Sequence, residues 1–162
     1  MNMSTDSLIM KKFIEEKLRQ TRRTNVESLL TLMDQHGFYI ARSRSHHRYP
    51  GGTMKHSIEV LEYALNHNTH NLPEDSIIIT CLLHDLCNIK GYREIDHHGS
   101  RSVLLATKIA GFHLKDEEYK AILWHMHSTD EKGLPEDFYH TTHSPLWKLL
   151  KKADCHSYRL GH

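Results

Sequence analysis

An adjacent histidine and aspartate, His84 and Asp85, end the apolar run SIIITCLLHDL. An ionised carboxylate on the apolar side of a helix is unfavourable by several kcal/mol unless a cation or hydrogen bonds compensate it. The two residues could form a hydrogen-bonded pair in the core, but a buried carboxylate beside an imidazole favours a bound metal ion. The sequence therefore predicts that His84 and Asp85 point inward and act as metal ligands.

Three further ligand-type residues occupy inward positions of helical patterns. Asp154 continues an apolar stripe at spacing four, and His125 does the same in the preceding pattern. His56 lies near the start of an earlier helix, close to its buried side. The alternatives are that His56 only meets a carbonyl and that Asp154 only pairs with Lys151. Imidazole ligands favour Fe, Co, Ni and Zn, and carboxylates admit Mn, so we expect a divalent transition metal ion.

The composition narrows the class of protein that carries these residues. The 162 residues fit one domain, spanning 1–162, and 38% of them are hydrophobic. A formal net charge of +1 argues against strong nucleic-acid binding. No stretch approaches the ~20 apolar residues of a membrane span, and no secretory signal is recognisable. We therefore expect a cytoplasmic globular protein without a membrane partner.

Apolar periodicity predicts an all-α fold, because no segment alternates in the manner of a strand. Thr24 and Glu27 resemble a capping box, and Ser144-Pro145 resembles a helix start. Residues 41 to 52 form a basic loop that Pro50-Gly51-Gly52 closes. The predicted helices cover residues 26–36, 53 onward, 75–87 as an apolar central helix, 97–109, 115–127 and 144–158.

Most of the 16 histidines have no predicted role in the site. We expect surface or loop positions for His36, His46, His47, His67, His70, His113, His140, His143, His156 and His162. Four aromatic residues are expected in the core or in a pocket wall rather than in a base-stacking platform, namely Tyr49, Tyr92, Trp124 and Trp147. The three cysteines lack a C-x-x-C spacing and are expected to be reduced and partly buried.

The order of these residues resembles a known family. His56 in MKHSIEVLEYAL, the pair in LLHDL and Asp154 in LLKKADCHS are similar to the H…HD…D signature of the HD-domain metal-dependent phosphohydrolases. The resemblance covers roughly residues 49 to 158. It implies a compact bundle of roughly six to eight helices with the metal site in its core. Residues 1–48 would then supply N-terminal helices and the basic loop, and residues 49–158 the metal-binding core.

Additional histidines resemble a branch of this family that holds two ions. The motif YPGG precedes His56, His98 lies in HHGSRSVLLA and His125 lies in AILWHMHS. The resemblance implies that Asp85 bridges a first ion to a second one held by His98 and His125. The neighbouring histidines, His97 and His127, are alternative ligands.

One position departs from the family pattern. Such hydrolases commonly read HD-x-C-K, whereas this chain reads HDLCNIKGY. Asn88 therefore stands where a lysine is usual, and Lys90 follows two residues later. This departure leaves metal binding intact but puts phosphate contact and leaving-group assistance in question.

The resemblance implies hydrolysis of a phosphate ester by a metal-activated water. The expected catalytic residues are Asp85, His84, Lys55 and Lys90. The expected substrate contacts are Arg42, Arg44, Arg48 and Asn88. The expected substrate is a nucleotide or another small phosphate monoester or diester, and a homodimer is compatible with the sequence. Two other functions stay open: a catalytically weak module that binds metal and nucleotide as a sensor or scaffold, and a metal-storage protein that uses the histidine excess.

Overall fold

A computed structural model describes residues 3–91 and 97–161 of the chain. Tyr92 and His162, for which positions were predicted, lie outside the described residues. The described residues form helices and no strands, so the prediction of an all-α bundle is confirmed. None of the described helices is long and apolar enough to cross a membrane. The α-helices are α1 (Thr5–Gln20), α2 (Val26–Gln35), α3 (Gly52–Asn66), α4 (Glu74–Leu83), α5 (His98–Leu104), α6 (Asp116–Trp124), α7 (Glu136–Thr141) and α8 (Pro145–Leu160).

Helices α3 and α4 form the centre of the bundle. Helix α3 packs against both α4 and α8, and α6 also packs against α4 and α8. Every residue of α4 from Ser76 to Leu83 is buried, as expected for a helix that is apolar on all sides. Pro73 precedes the first turn of α4, where Glu74 and Asp75 place favourable negative charge. The carboxyl end of α4 is thereby fixed deep inside the protein.

The predicted central helix over residues 75–87 is too long. Helix α4 ends at Leu83, and a short 3-10 helix follows at Leu86–Asn88. Asp85 has φ −104° and ψ 21°, which breaks the regular helix. Asp85 therefore reaches the site from a turn after the helix and does not continue the face that carries Cys81.

Other predicted boundaries are nearly correct. Ser144 caps α8 by accepting a hydrogen bond from the Trp147 amide at 3.4 Å. The helix predicted over residues 97–109 begins at His98 and becomes π-helical over Leu105–Ile109. The helix predicted over residues 115–127 ends at Trp124. Helix α7 was not predicted, because its six residues are too few to show a period.

The predicted capping box of α2 is wrong. Asn25 occupies the capping position with φ 64° and makes no side-chain cap. The Glu27 carboxylate instead accepts two hydrogen bonds from the Arg19 guanidinium, at 2.7 and 3.0 Å. A bidentate ion pair is a stronger interaction than a bond to one backbone amide, so Glu27 links α2 to α1.

The predicted exposure of His46 and His47 is also wrong, because both are buried. His47 has φ 45° and packs against two glycines. A Cβ atom at Gly52 would collide with the His47 carbonyl, and one at Gly161 would collide with its ring. The absence of side chains at these glycines lets the basic loop fold inward between the start of α3 and the end of α8.

Candidate metal centre

Four side chains converge where α3, the end of α4 and α8 meet. His56 belongs to α3, Asp154 to α8, and His84 and Asp85 follow Leu83. Both imidazoles are fully buried, and the Asp85 and Asp154 side chains are 11% and 20% exposed. The fold therefore places two imidazoles and two carboxylates in one enclosed space.

The separations between these groups suit a common ion. His56 Nε2 lies 3.1 Å from His84 Nε2, 3.2 Å from Asp154 Oδ1 and 3.8 Å from Asp85 Oδ2. His84 Nε2 lies 3.8 Å from Asp154 Oδ1 and 3.9 Å from Asp85 Oδ2. Ligands that hold an ion at ~2.0 to 2.2 Å stand about 3.0 to 3.6 Å apart, so adjustments of a few tenths of an ångström suffice.

Hydrogen bonds at the opposite ring nitrogen orient each histidine. His84 Nδ1 donates to the Cys81 carbonyl at 2.8 Å, and His125 Nδ1 donates to the Ile122 carbonyl at 2.7 Å. His56 Nδ1 lies 2.9 Å from the Ser157 hydroxyl. A neutral imidazole that donates from Nδ1 carries its lone pair on Nε2. This arrangement is typical of metal ligands, in which the second nitrogen is held by a carbonyl or other acceptor.

In this tautomer the lone pairs of His56 and His84 face each other at 3.1 Å. In addition, His125 Nε2 is buried and has no hydrogen-bond partner among the described residues. Facing lone pairs and an unsatisfied buried nitrogen are unfavourable without a cation. A divalent ion satisfies both features at once, so the residues present fit a metal.

The charges of the site are consistent with this fit. Burial opposes ionisation of both carboxylates, but the imidazoles outweigh it. The imidazole of His56, 3.2 Å away, and the nearby His84 lower the pKa of Asp154 to about 2, and His84 and His125 hold the pKa of Asp85 well below its usual range. Burial lowers the pKa of His84, which keeps its Nε2 available to an ion. The site therefore presents anionic carboxylates and a neutral imidazole near pH 7.

A second group of ligand-type atoms lies on the other side of Asp85. Asp85 Oδ1 is 3.8 Å from His125 Nε2, whereas Oδ2 faces His56 and His84. Asp85, Cys87 and His98 also form a group whose ligand atoms lie within 4.8 Å of one another. The two oxygens of Asp85 therefore face separate sets of ligands, as a carboxylate between two ions must.

The alternative histidines lie apart from this group. His97 is exposed at the start of α5. His127 Nδ1 lies 2.9 Å from the Glu131 carboxylate. Cys87 Sγ is 3.0 Å from His98 Nδ1, and His98 lines the cavity that opens onto the centre.

A cavity of about 530 Å³ opens onto the centre. Of the predicted substrate contacts, Arg44 and Asn88 lie in its wall. The Asn88 amide nitrogen donates to Thr53 Oγ1 at 3.2 Å and approaches Asp85 Oδ2 at 3.4 Å. The lining residues are Ser43, Arg44, Ser45, His46, Asp85, Asn88, His98, Met126, Asp154, Cys155, Tyr158 and Arg159.

Besides the fully buried His84, four predicted catalytic or substrate residues of the described chain lie outside this lining. Lys55 Nζ is 3.4 Å from the Glu59 carboxylate and its side chain is 44% exposed. Lys90 is exposed, and its amide donates to the His36 carbonyl. Arg42 is exposed, and Arg48 lines a smaller cleft beside Gly161. Their predicted roles stay predictions.

Sequence reasoning missed several wall residues. Tyr158 follows Asp154 at a spacing of four, which places it on the same side of α8, whereas Arg159 at a spacing of five lies on another side of the helix and still reaches the wall. The spacing of Tyr158 was available in the sequence, whereas nothing in it marked Met126 on the short connection after α6. His46 was missed because the basic loop has no helical or strand period from which burial could be predicted.

Comparison with known proteins agrees with the geometry. The family model of the HD domain matches residues 53–158, about two thirds of the chain. No curated protein and no solved structure matches the chain. The matched range begins just before His56 and ends just after Asp154, so it contains the whole centre. The chain therefore belongs to the HD-domain family. The members of this superfamily are mostly metal-dependent phosphohydrolases.

Proposed function

We propose that this protein hydrolyses a small phosphate ester, with a nucleotide as the favoured substrate, at a centre of one or two divalent transition metal ions. The observation that carries the proposal is the orientation of three imidazole Nε2 atoms towards two carboxylates at the floor of a cavity. A purely structural cluster would not leave His125 Nε2 unsatisfied among the described residues.

The reaction follows from the charges around Asp85. A divalent ion supplies an activated water near neutral pH and neutralises charge on the phosphoryl oxygens. Asp85 faces both groups of histidines, so it is placed to orient that water. Fe, Mn, Ni, Co and Zn all suit the imidazole and carboxylate donors.

The cavity wall favours a phosphate group as the substrate's anchor. Arg44 and Arg159 reach the wall from the basic loop and from the end of α8. Neither guanidinium has a carboxylate within ion-pair distance among the described residues. Guanidinium groups bind phosphate oxygens through paired N–H donors. Met126 and Tyr158 add apolar surface to the same wall, which suits the base or another apolar part of a small ester.

A second function has support from one residue. Asn88 stands where related hydrolases commonly carry a lysine, and its amide is engaged by Thr53. An HD module with Asn88 could bind metal and nucleotide without efficient turnover, as a sensor or scaffold. Wild-type turnover distinguishes the two functions.

The test is hydrolysis by metal-stripped protein that has been reloaded with each of the five ions. The substrates are nucleoside monophosphates, cyclic nucleotides and p-nitrophenyl phosphate. We expect turnover with at least one ion and none with Asp85→Ala, which removes the carboxylate shared by both ligand groups. Turnover by Asp85→Ala equal to the wild type would contradict the proposed site. Tight metal and nucleotide binding without turnover would favour the sensor.

A further inference from the structure

A mostly buried carboxylate, that of Glu59, lies behind the metal ligand His56. The Ser157 hydroxyl, 2.9 Å from His56 Nδ1, donates to Glu59 Oε2 at 2.6 Å. Ser157 is fully buried, and the Glu59 side chain is 14% exposed. Glu59 follows His56 by three residues in α3, and Ser157 follows Asp154 by three in α8. The same two helices therefore carry metal ligands and the groups behind them.

The same carboxylate oxygen receives a second chain of donors. His47 Nε2 lies 3.0 Å from Glu59 Oε2, and His47 Nδ1 lies 2.8 Å from His46 Nδ1. His46 Nε2 is 3.2 Å from the Ser43 hydroxyl. The His46 ring packs on the His56 ring with 4.3 Å between centroids, and it lines the cavity.

Only one direction of donation satisfies the ends of both chains. An ionised carboxylate accepts and cannot donate, so Ser157 and His47 must both donate to Glu59. Ser157 then has its lone pairs free, and His56 must donate to it from Nδ1. His56 Nε2 is consequently left with a lone pair that points at His84 and Asp154. Glu59 thus determines which nitrogen of His56 can bind an ion.

We propose that Glu59 is a positioning residue for the metal centre, which acts through Ser157 to hold the His56 ring in place and in its metal-binding tautomer. This inference rests on the proposed metal site and adds residues that do not touch the ion. Groups in this position change metal affinity by roughly 10- to 100-fold in known metal sites. The His47 branch holds the same oxygen from the other side, which fixes the carboxylate against rotation.

The experiment measures metal affinity rather than activity. Metal-stripped wild type, Glu59→Gln and Ser157→Ala are titrated with Zn²⁺ and with Mn²⁺ against a chromophoric chelator. We expect both variants to bind roughly 10- to 100-fold more weakly than the wild type. The double variant should bind about as weakly as either single variant, because both substitutions break one connected chain.

Two controls separate this role from a general loss of structure. Glu62→Gln makes the same chemical change at an exposed position of α3 and should bind as the wild type does. Ser157→Thr retains the hydroxyl and should recover affinity relative to Ser157→Ala. Circular dichroism of each metal-free variant shows whether the helices are intact. A folded Glu59→Gln or Ser157→Ala that binds as tightly as the wild type would overturn the inference.

The outcome also separates this inference from the proposed hydrolase function. A wild type that binds the ions but hydrolyses nothing removes the function and leaves the affinity comparison decisive for Glu59. A wild type that binds none of the ions overturns both proposals.

Discussion

The Asp85 side chain faces both groups of ligand atoms in the centre. It is nearly buried and lies between the His56–His84 group and His125. It has a turn conformation after α4, and its two oxygens face different ligand nitrogens. The unfavourable burial of this carboxylate is offset by imidazoles in the metal-free protein and by the ion in the loaded one.

Asn88 provides a direct test of the position that departs from the family pattern. Asn88→Lys places an ammonium group in the cavity wall beside Asp85. Because an ammonium group stabilises developing negative charge on phosphate, we expect an equal or higher rate on p-nitrophenyl phosphate. Steady-state kinetics of the lysine variant and the wild type, loaded with the same ion, measure the effect. A lower rate at unchanged metal content would show that the amide itself is needed.

His46 should make the metal-free protein sensitive to mild acid. Burial and the neighbouring His56 lower the pKa of His46 from 6.5 to about 4. Between these two pH values the unfolded chain binds a proton at His46 that the folded protein does not bind. The free energy of unfolding is therefore not reduced by His46 above pH ~6.5, and it falls as the pH drops towards 4. His46→Gln should reduce this loss of stability. The slope of the free energy of unfolding against pH should change by the equivalent of at most one proton. His47 and His84, whose pKa values burial also lowers, account for part of the remainder.

Urea unfolding of metal-free protein at pH 7, 6 and 5 measures this slope. The matched control is His113→Gln, which removes an exposed histidine and should leave the slope unchanged. An identical pH dependence in His46→Gln and the wild type would show that the His46 ring is not protected in the folded state.

At the level of elements, the close crossing of α5 and α6 positions the second ligand group. Helix α5 begins at His98, and His125 is the residue directly after α6. Gly99 makes the approach possible, because a Cβ atom there would collide with the Leu123 carbonyl. The distance between His98 and His125 therefore depends on a glycine that contributes no ligand.

Gly99→Ala should weaken binding of the second ion more than binding of the first. The added methyl group forces α5 away from α6, and overpacking of this kind costs about 1 to 3 kcal/mol of stability. If the wild type holds two ions, the metal content per chain, measured on folded protein at increasing ion concentration, should drop from two ions towards one. Ser100→Ala, one residue along α5, is the control and should retain the wild-type content. Equal content in all three proteins would contradict this role of the α5–α6 crossing.

At the level of the whole molecule, the sequence predicted the fold class and most of the centre for a definite reason. His56 and Asp154 sit in regular helices and His125 directly follows α6, so their spacing from apolar neighbours reports which way they face. His84 and Asp85 were placed inward even though their helix ends earlier than predicted, because the preceding run is buried on all sides. Periodicity is informative where the backbone is regular.

The remaining features depend on contacts between distant segments. The basic loop has no period, so the burial of His46 and His47 against Gly52 and Gly161 could not be predicted. Lys55 was predicted to steady the substrate phosphate; its ammonium group lies 3.4 Å from the Glu59 carboxylate, and the role stays a prediction. Tyr158 was overlooked although its spacing of four from Asp154 placed it on the cavity side of α8.

The most direct test of the metal centre is anomalous diffraction from crystals grown with Zn²⁺ or Mn²⁺. We predict a peak ~2.0 to 2.3 Å from the ligand atoms of the first group, His56 Nε2, His84 Nε2, Asp85 Oδ2 and Asp154 Oδ1. A second ion would appear ~3.5 to 4 Å away, on the side of Asp85 Oδ1 and His125 Nε2. Crystals that contain the ion elsewhere, with no peak among the first four atoms, would contradict the account.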